Sequence, residues 1–369
     1  MTRLREALDG IAAEAPQADL LDAAIAGHRR RRRTTAAVTV ALAAATTAAV
    51  VAATGAVAAL PWQPAALPAV PQQAAVPPDL PEGAVGVLSH AYRTPCTRAG
   101  DGGLDCDDME WRVVTAAGKT YRMPQALVRT ESDHDTPVAL SRDGRKLAYY
   151  SRQSQAHVVR DMVTGAEVTG PRLPEEQIEI GSMLVVSDDG RYLVFDPREG
   201  TKYPGRLIDM RTGKQTTING KYEPVAVKDG VVELVRYVRT DLWFMPVTGG
   251  GKPVRFDGRF IGFSELAPDG RTVLALNGEH VRRATPTITV LDVKTGRAVR
   301  EIAVTGLSRT RGVAFPTIWR NGAEVVVRYD GGSGWEIYSV DVGTGKARLL
   351  TRHDNKTMSL VLPGAAAGV

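Results

Sequence analysis

Cys96 and Cys106 are the residues whose spacing most constrains their chemistry in this 369-residue chain. The spacing is not C-x-x-C and no histidine cluster accompanies it, so neither a redox motif nor a zinc site is indicated. A pair at this separation in an exported segment forms a structural disulfide. The enclosed TRAGDGGLD is too polar and glycine-rich to hold itself in place, which gives the bridge a purpose. Around it stand Asp101, Asp105, Asp107, Asp108 and Glu110. Hard cations want several oxygen ligands, but this spacing does not follow the EF-hand loop, and a solvated acidic loop is the expectation. His90, His134, His157, His280 and His353 are scattered, with no H-x-E or H-x-x-x-H spacing, so no metal site is assigned to them. No G-x-S-x-G elbow is present. The chemistry-bearing residues therefore predict no catalytic, cofactor-binding or metal-ligating set, and the chain does not read as an enzyme.

The most frequent polar motif is positional. Asp143-Gly144, Asp189-Gly190, Asp229-Gly230, Asp269-Gly270 and Asn321-Gly322 each lie between two apolar runs, as in PVALSRDGRKLAYY (137–150) and MLVVSDDGRYLVF (183–195). Such dipeptides suit a tight hairpin whose two turn positions need positive φ. A second element follows each by 20–25 residues: RDMVTGAEV, IDMRTGKQT, FMPVTGGGK, LDVKTGRAV and VDVGTGKAR. It reads as a strand, a Thr-Gly turn and a short outer strand. Two hairpins every 40–52 residues are the period of a four-stranded propeller blade. Sialidase-type Asp boxes need S-x-D-x-G-x-x-[WF], which Ser141–Leu147 does not match, so the aspartates are turn formers. Trp111, Trp243, Trp319 and Trp335 sit in strand-like runs, where burial between blades is expected.

These repeats resemble the TolB-like family of WD-repeat-related propellers, whose unit runs S-P-D-G-x-x-[LI]-[AV]-[FY], then a strand ending in Asp, then an outer strand. The resemblance implies an all-β propeller over 83–364 and leaves function open, since such folds serve as binding platforms, enzymes and scaffolds. Five complete units lie between 136 and 351. The region 85–124 supplies only three strands, at Val85–Tyr92, Trp111–Thr115 and Lys119–Met123, while Met358–Leu362 reads like the missing innermost strand. Six blades are predicted, the first completed by residues 358–362 against 85–92, with 365–369 left as a disordered tail.

Ahead of the repeats the chain changes character. Arg29, Arg30, Arg31, Arg32 and Arg33 precede 27 uncharged residues, 34–60. At about 1.5 Å of rise per residue that run is long enough to cross a bilayer core of about 30 Å as a helix, and the arginines mark the cytoplasmic flank. A cleaved signal peptide ending near Ala56-Val57-Ala58 is the alternative, although the preceding segment is long for a basic n-region and carries five acidic residues. Residues 61–82 hold seven prolines and read as a semi-rigid spacer, with Trp62 at the membrane interface. Residues 1–28 carry Leu4, Leu8 and Ile11 at helical spacing, then Leu20, Leu21 and Ile25 after Pro16. This start looks like the tails of actinobacterial single-span proteins, some of which bind sigma factors.

The formal net charge is +5. Residues 1–33 hold seven of the 46 basic and five of the 41 acidic residues, so the remainder is well mixed. It has no basic stripe, and nucleic acid is not an expected partner. The expected protein is single-pass in the cell membrane, its amino terminus cytoplasmic and its propeller extracytoplasmic. The ring would bind an envelope protein or ligand, with a cytoplasmic regulator such as a sigma factor on residues 1–28. An exported propeller enzyme acting on glycans and a passive envelope scaffold are the alternatives.

Overall fold

The computed structural model describes residues 76–98, 100, 103–200, 203–237, 240–279, 286–308, 313–330, 334–353 and 358–368. The tail with its arginines, the 34–60 span, Trp62 and most of the spacer lie outside them, as do Asp101 and His280. Among the described residues no helix is long and apolar enough to cross a membrane.

Six antiparallel sheets form a propeller. Blade 2 is Ala139–Leu140, Lys146–Ser151, Ala156–Asp161 and Glu167–Arg172, from the axis outwards. Blade 3 is Met183–Val186, Tyr192–Asp196, Gly205–Asp209 and Gln215–Ile218. Blade 4 is Glu223–Lys228, Val231–Arg236, Asp241–Pro246 and Val254–Arg255, and blade 5 is Phe260–Phe263, Thr272–Asn277, Thr287–Asp292 and Arg297–Ala303. Blade 6 is Val313–Trp319, Glu324–Asp330, Trp335–Asp341 and Ala347–His353. Blade 1 is built from both ends of the repeat region. Leu88–Arg93, Trp111–Thr115 and Thr120–Arg122 supply its outer strands, and Met358–Val361 is its innermost. Ala91 pairs with Val361 and Arg93 with Met358, which closes the ring in the way the strand count required.

The inner strands are buried at consecutive positions, as in Lys146–Ser151 and Met183–Val186, because each sheet is covered on both faces by its neighbours. Every junction between adjacent blades holds its own apolar cluster. Trp111 fills the junction of blades 1 and 2, and Trp319 that of blades 5 and 6. Trp243 and Trp335 are only partly buried. The seam between blades 6 and 1 is the thinnest junction: among the described residues its buried members are Val326, Ile337, Leu360 and Leu362.

The turns depart from expectation in one respect. Only Asp229-Gly230 has both φ values positive, at 51° and 74°. At Gly144, Gly190 and Gly270 the glycine alone is left-handed. There the preceding aspartate accepts backbone N–H groups instead: Arg145 N donates to Asp143 Oδ1 at 3.0 Å, and Arg191 N to Asp189 Oδ1 at 3.0 Å. Asn321 Oδ1 does the same for Ala323 N at 2.8 Å. The side-chain oxygen satisfies donors that a two-residue turn would leave to water, so a wider turn wins.

Two boundaries also move. The last part of the spacer joins the ring: Leu80 N donates to Arg122 O at 2.8 Å, Arg122 N to Pro78 O at 2.9 Å, and Leu80 is buried. Residues 365–368, expected as a disordered tail, turn inwards. Gly364 N donates to Leu140 O at 3.0 Å, and Ala367–Gly368 pairs antiparallel with Met183–Leu184 as a fifth strand on the axis side of blade 3. The innermost edge of a blade carries unpaired backbone groups, and a segment with almost no side chains can reach them in a narrow channel.

Candidate functional site: the central channel

The innermost strands converge on a channel, and the chain closes one end of it. Arg142, beside the blade 2 turn, reaches across the axis: its Nε donates to Glu265 Oε1 of blade 5 at 2.8 Å, and its Nη2 to the carbonyl of Trp319 in blade 6. Trp319 N donates to the same Glu265 oxygen at 2.9 Å. Glu265 is 3% exposed, so its charge is compensated within the fold rather than by water. Gly364 and Ala365 pack beside this pair, and only about 10 Å³ of space remains at that level.

Above that floor the channel widens into a chamber of about 250 Å³, lined by Phe263, Phe315 and Tyr237 on one side and by Leu362 and Ala365 on the other. It opens to a mouth of about 480 Å³ bounded by Met183, Glu199, Glu223, Tyr237, Ile261 and Arg328. The site is a dead-end funnel with an acidic rim.

The rim acids come from the ends of neighbouring strands. Glu223 begins the inner strand of blade 4, and Asp196 ends the second strand of blade 3, opposite Met183. Glu199 follows in the next turn, its N–H donating to Gly181 O at 3.2 Å. Asp196 is 1% exposed; its Oδ1 accepts Arg198 N at 3.3 Å, while Oδ2 has no hydrogen-bond partner. Burial, with Glu199 nearby, pushes the Asp196 carboxyl up to about 7. Burial and then the charges of Glu199 and Asp196 push Glu223 up to about 7 as well. Burial, then the charges of Glu223, Glu199 and Glu233, raise the Tyr237 phenol, so it stays protonated and able to donate. Across the rim the Arg328 guanidinium lies over the rings of Trp335 and Phe315, 4.6 and 5.6 Å from their centroids. A guest at the mouth meets the Arg328 guanidinium, the Glu199 and Glu223 carboxyls and the Tyr237 phenol, while Asp196 is buried.

None of these rim residues was singled out by sequence. Among the described residues, those that were lie away from this rim. Cys96 and Cys106 are disulfide-bonded and pin a two-strand loop on blade 1. Asp105 Oδ1 accepts Asp107 N at 3.0 Å, and Glu110 accepts Arg112 Nε at 2.7 Å and Arg122 Nε at 2.6 Å. The repeat turns sit at the blade ends. Among the described residues no three His, Cys, Asp or Glu side chains are arranged to hold a metal ion. Two scattered histidines do meet: His90 and His353 face each other across the blade 1–6 seam, ring centroids 4.5 Å apart. Burial, then the charge of His353, lowers His90 to about 4.

No protein-family model matches the chain, and no curated protein matches it. Solved structures similar to it are propellers. TolB from Acinetobacter baumannii shares 15% identity at a TM-score of 0.49, over 75% of this chain and 66% of that one. The propeller in a nidogen/laminin complex shares 8% at 0.45, over 76% and 98%. The dihydro-heme d1 dehydrogenase NirN shares 18% at 0.39, over 76% and 56%. The chain thus spans less than two thirds of the length of TolB and NirN. The likeness is one of fold.

Proposed function

We propose that this protein is a single-pass membrane protein that displays its propeller outside the cell membrane and receives a partner in the mouth of the central channel. The dead-end funnel carries this reading. A channel stoppered by Arg142, Glu265 and residues 364–365 cannot pass a substrate through, but it can seat a protruding segment. The acidic rim at Glu199 and Glu223 favours a segment of an envelope protein rich in hydrogen-bond donors or positive charge. The uncharged run 34–60 behind Arg29–Arg33 supports the anchor, and a disulfide suits an oxidising compartment. Residues 1–28 would report occupancy to a cytoplasmic regulator such as a sigma factor. The test is co-purification of the full-length chain from membranes, wild type against Glu199→Lys. Loss of a wild-type partner in the variant supports the funnel, and an unchanged partner set contradicts it.

One observation favours a second reading, an exported enzyme acting on glycans. Two carboxyls held near 7 beside a buried tyrosine at strand ends are the elements general acid–base chemistry needs. Glycan turnover by the wild type that disappears in Glu223→Gln would establish it.

A further inference from the structure

Blade 4 breaks the apolar pattern at one buried position. In the second strand of blades 2, 3, 5 and 6, Ala148, Val194, Leu274 and Val326 lie in the apolar cluster shared with the following blade. The residue of blade 4 that looks towards blade 5 at this level is Glu233, 3% exposed. A lone acid in an apolar column costs stability unless something compensates it, and such inconsistencies cluster at functional sites.

The surroundings of Glu233 form a cleft distinct from the funnel mouth. Ala226, Glu233 and Phe244 are cross-strand neighbours on one row of blade 4. Leu266 and Pro268 of blade 5 face them, and the space between is about 160 Å³. That is below the ~300–1,000 Å³ of a drug-sized site, and suits one flexible side chain or its equivalent. Leu266 N donates to Glu233 Oε2 at 2.9 Å, which fixes the carboxyl, while Oε1 is buried and has no hydrogen-bond partner. The neighbouring charges are otherwise committed. Arg142 pairs with Glu265, and Lys228 Nζ lies 3.9 Å from Glu265 Oε1 and 3.5 Å from Leu266 O. Asp229 stands exposed at the rim.

We propose that this cleft binds a primary ammonium group on a short aliphatic chain, the chemistry of a lysine side chain or a free alkylamine, with Glu233 Oε1 as its acceptor. Phe244, Leu266 and Pro268 offer the methylenes an apolar wall, and Asp229 draws the cation to the opening. Burial holds the Glu233 carboxyl well above its ordinary range, which favours its protonated form in the empty cleft. With Glu233 neutral, Arg142 and Lys228 balance Glu265 and Asp229. Adding an ammonium keeps the cleft neutral only if Glu233 gives its proton to solvent. Binding is therefore an exchange of a proton for an organic cation, and it tightens as pH rises.

The test is calorimetric titration of the full-length protein with n-pentylammonium, Nα-acetyl-lysine amide and the neutral isostere Nα-acetyl-norleucine amide. The amines should bind saturably and norleucine amide should not. The heat should vary with the ionisation enthalpy of the buffer, as release of about one proton requires. Glu233→Gln keeps the shape and should weaken binding about tenfold or more. Ala226→Leu, which fills the cleft and leaves the acid, should abolish it. Tighter binding of the lysine amide than of pentylammonium assigns the site to a protein partner, and equal binding to a free amine. No saturable binding, equal binding of norleucine amide, or wild-type affinity in both variants would overturn the proposal.

Discussion

At the scale of single residues the unusual groups are buried acids, and their cost has a direction in pH. Asp196 is held near 7 in the folded protein and returns to about 4 when unfolded. Between those values the folded state binds more protons, so the stability Asp196 contributes is complete below about pH 4 and is lost as pH rises towards 7. Asp196→Asn keeps an oxygen for Arg198 N and removes the titration. Its melting temperature should match the wild type near pH 4 and exceed it at pH 8, by on the order of a few kcal/mol of stability, and the Glu223 carboxyl titrates in the same window. An unchanged difference between the two proteins from pH 4 to 8 would remove Asp196 as a buried titrating group. The bridge of Cys96 to Cys106 was legible from two cysteines and a loop. Thiol labelling of the native ring should fail without reductant, and closing a loop of about ten residues contributes roughly 2–3 kcal/mol. Glu265 was also visible in principle. Counted back from its turn glycine, it occupies the register of Ala139, Val185, Val225 and Thr317. The rim could not be read this way, because Asp196 and Glu199 of blade 3 meet Glu223 only through the packing of blade 4 against blade 3.

At the scale of elements, the paired apolar runs and the recurring Asp-Gly and Thr-Gly dipeptides made the blades readable. Turn type was less readable, since the sequence does not say whether an aspartate uses its backbone or its side chain. The Thr-Gly turns carry a further constraint. In blade 6, Gly345 has φ 75°, and a Cβ there would stand 2.1 Å from the carbonyl oxygen of Ala303, on the outer strand of blade 5. Thr305 N donates to Gly345 O at 2.9 Å, so this turn couples one blade to the next. Gly230, in the tight turn of blade 4, has nothing within 4 Å of such a Cβ. Gly345→Ala should cost about 3–5 kcal/mol because backbone must move. Gly230→Ala should cost only about 1–2 kcal/mol, the strain of a left-handed alanine. Equal losses in urea unfolding would show that the docking of Gly345 is not the reason for the motif.

At the scale of the whole molecule, ring closure and the shape of the channel are linked through the C-terminal segment, which completes blade 1, seals the blade 6–1 seam and then lines the channel. The first step was legible, because Met358–Leu362 repeats an inner-strand pattern. The last was not, because Gly364–Gly368 has almost no side chains with which to announce a destination. Deleting residues 357–369 should expose the inner edge of Leu88–Arg93 and cause misfolding or aggregation, and a truncated protein that stays monomeric with an unchanged melting temperature would contradict closure. Topology is tested separately: an export-dependent reporter should be active after Val369 and silent after Gly27, and the reverse pattern would turn the protein around. The funnel mouth is the proposed place where a partner is held. A photo-cross-linking residue at Ile261, on the rim, should trap one discrete partner in growing cells, and Glu199→Lys should abolish that adduct. The same probe at Val299, 61% exposed on the outer strand of blade 5, should trap none. An adduct at Ile261 that survives Glu199→Lys, or one that forms only from Val299, would contradict the funnel as the binding site.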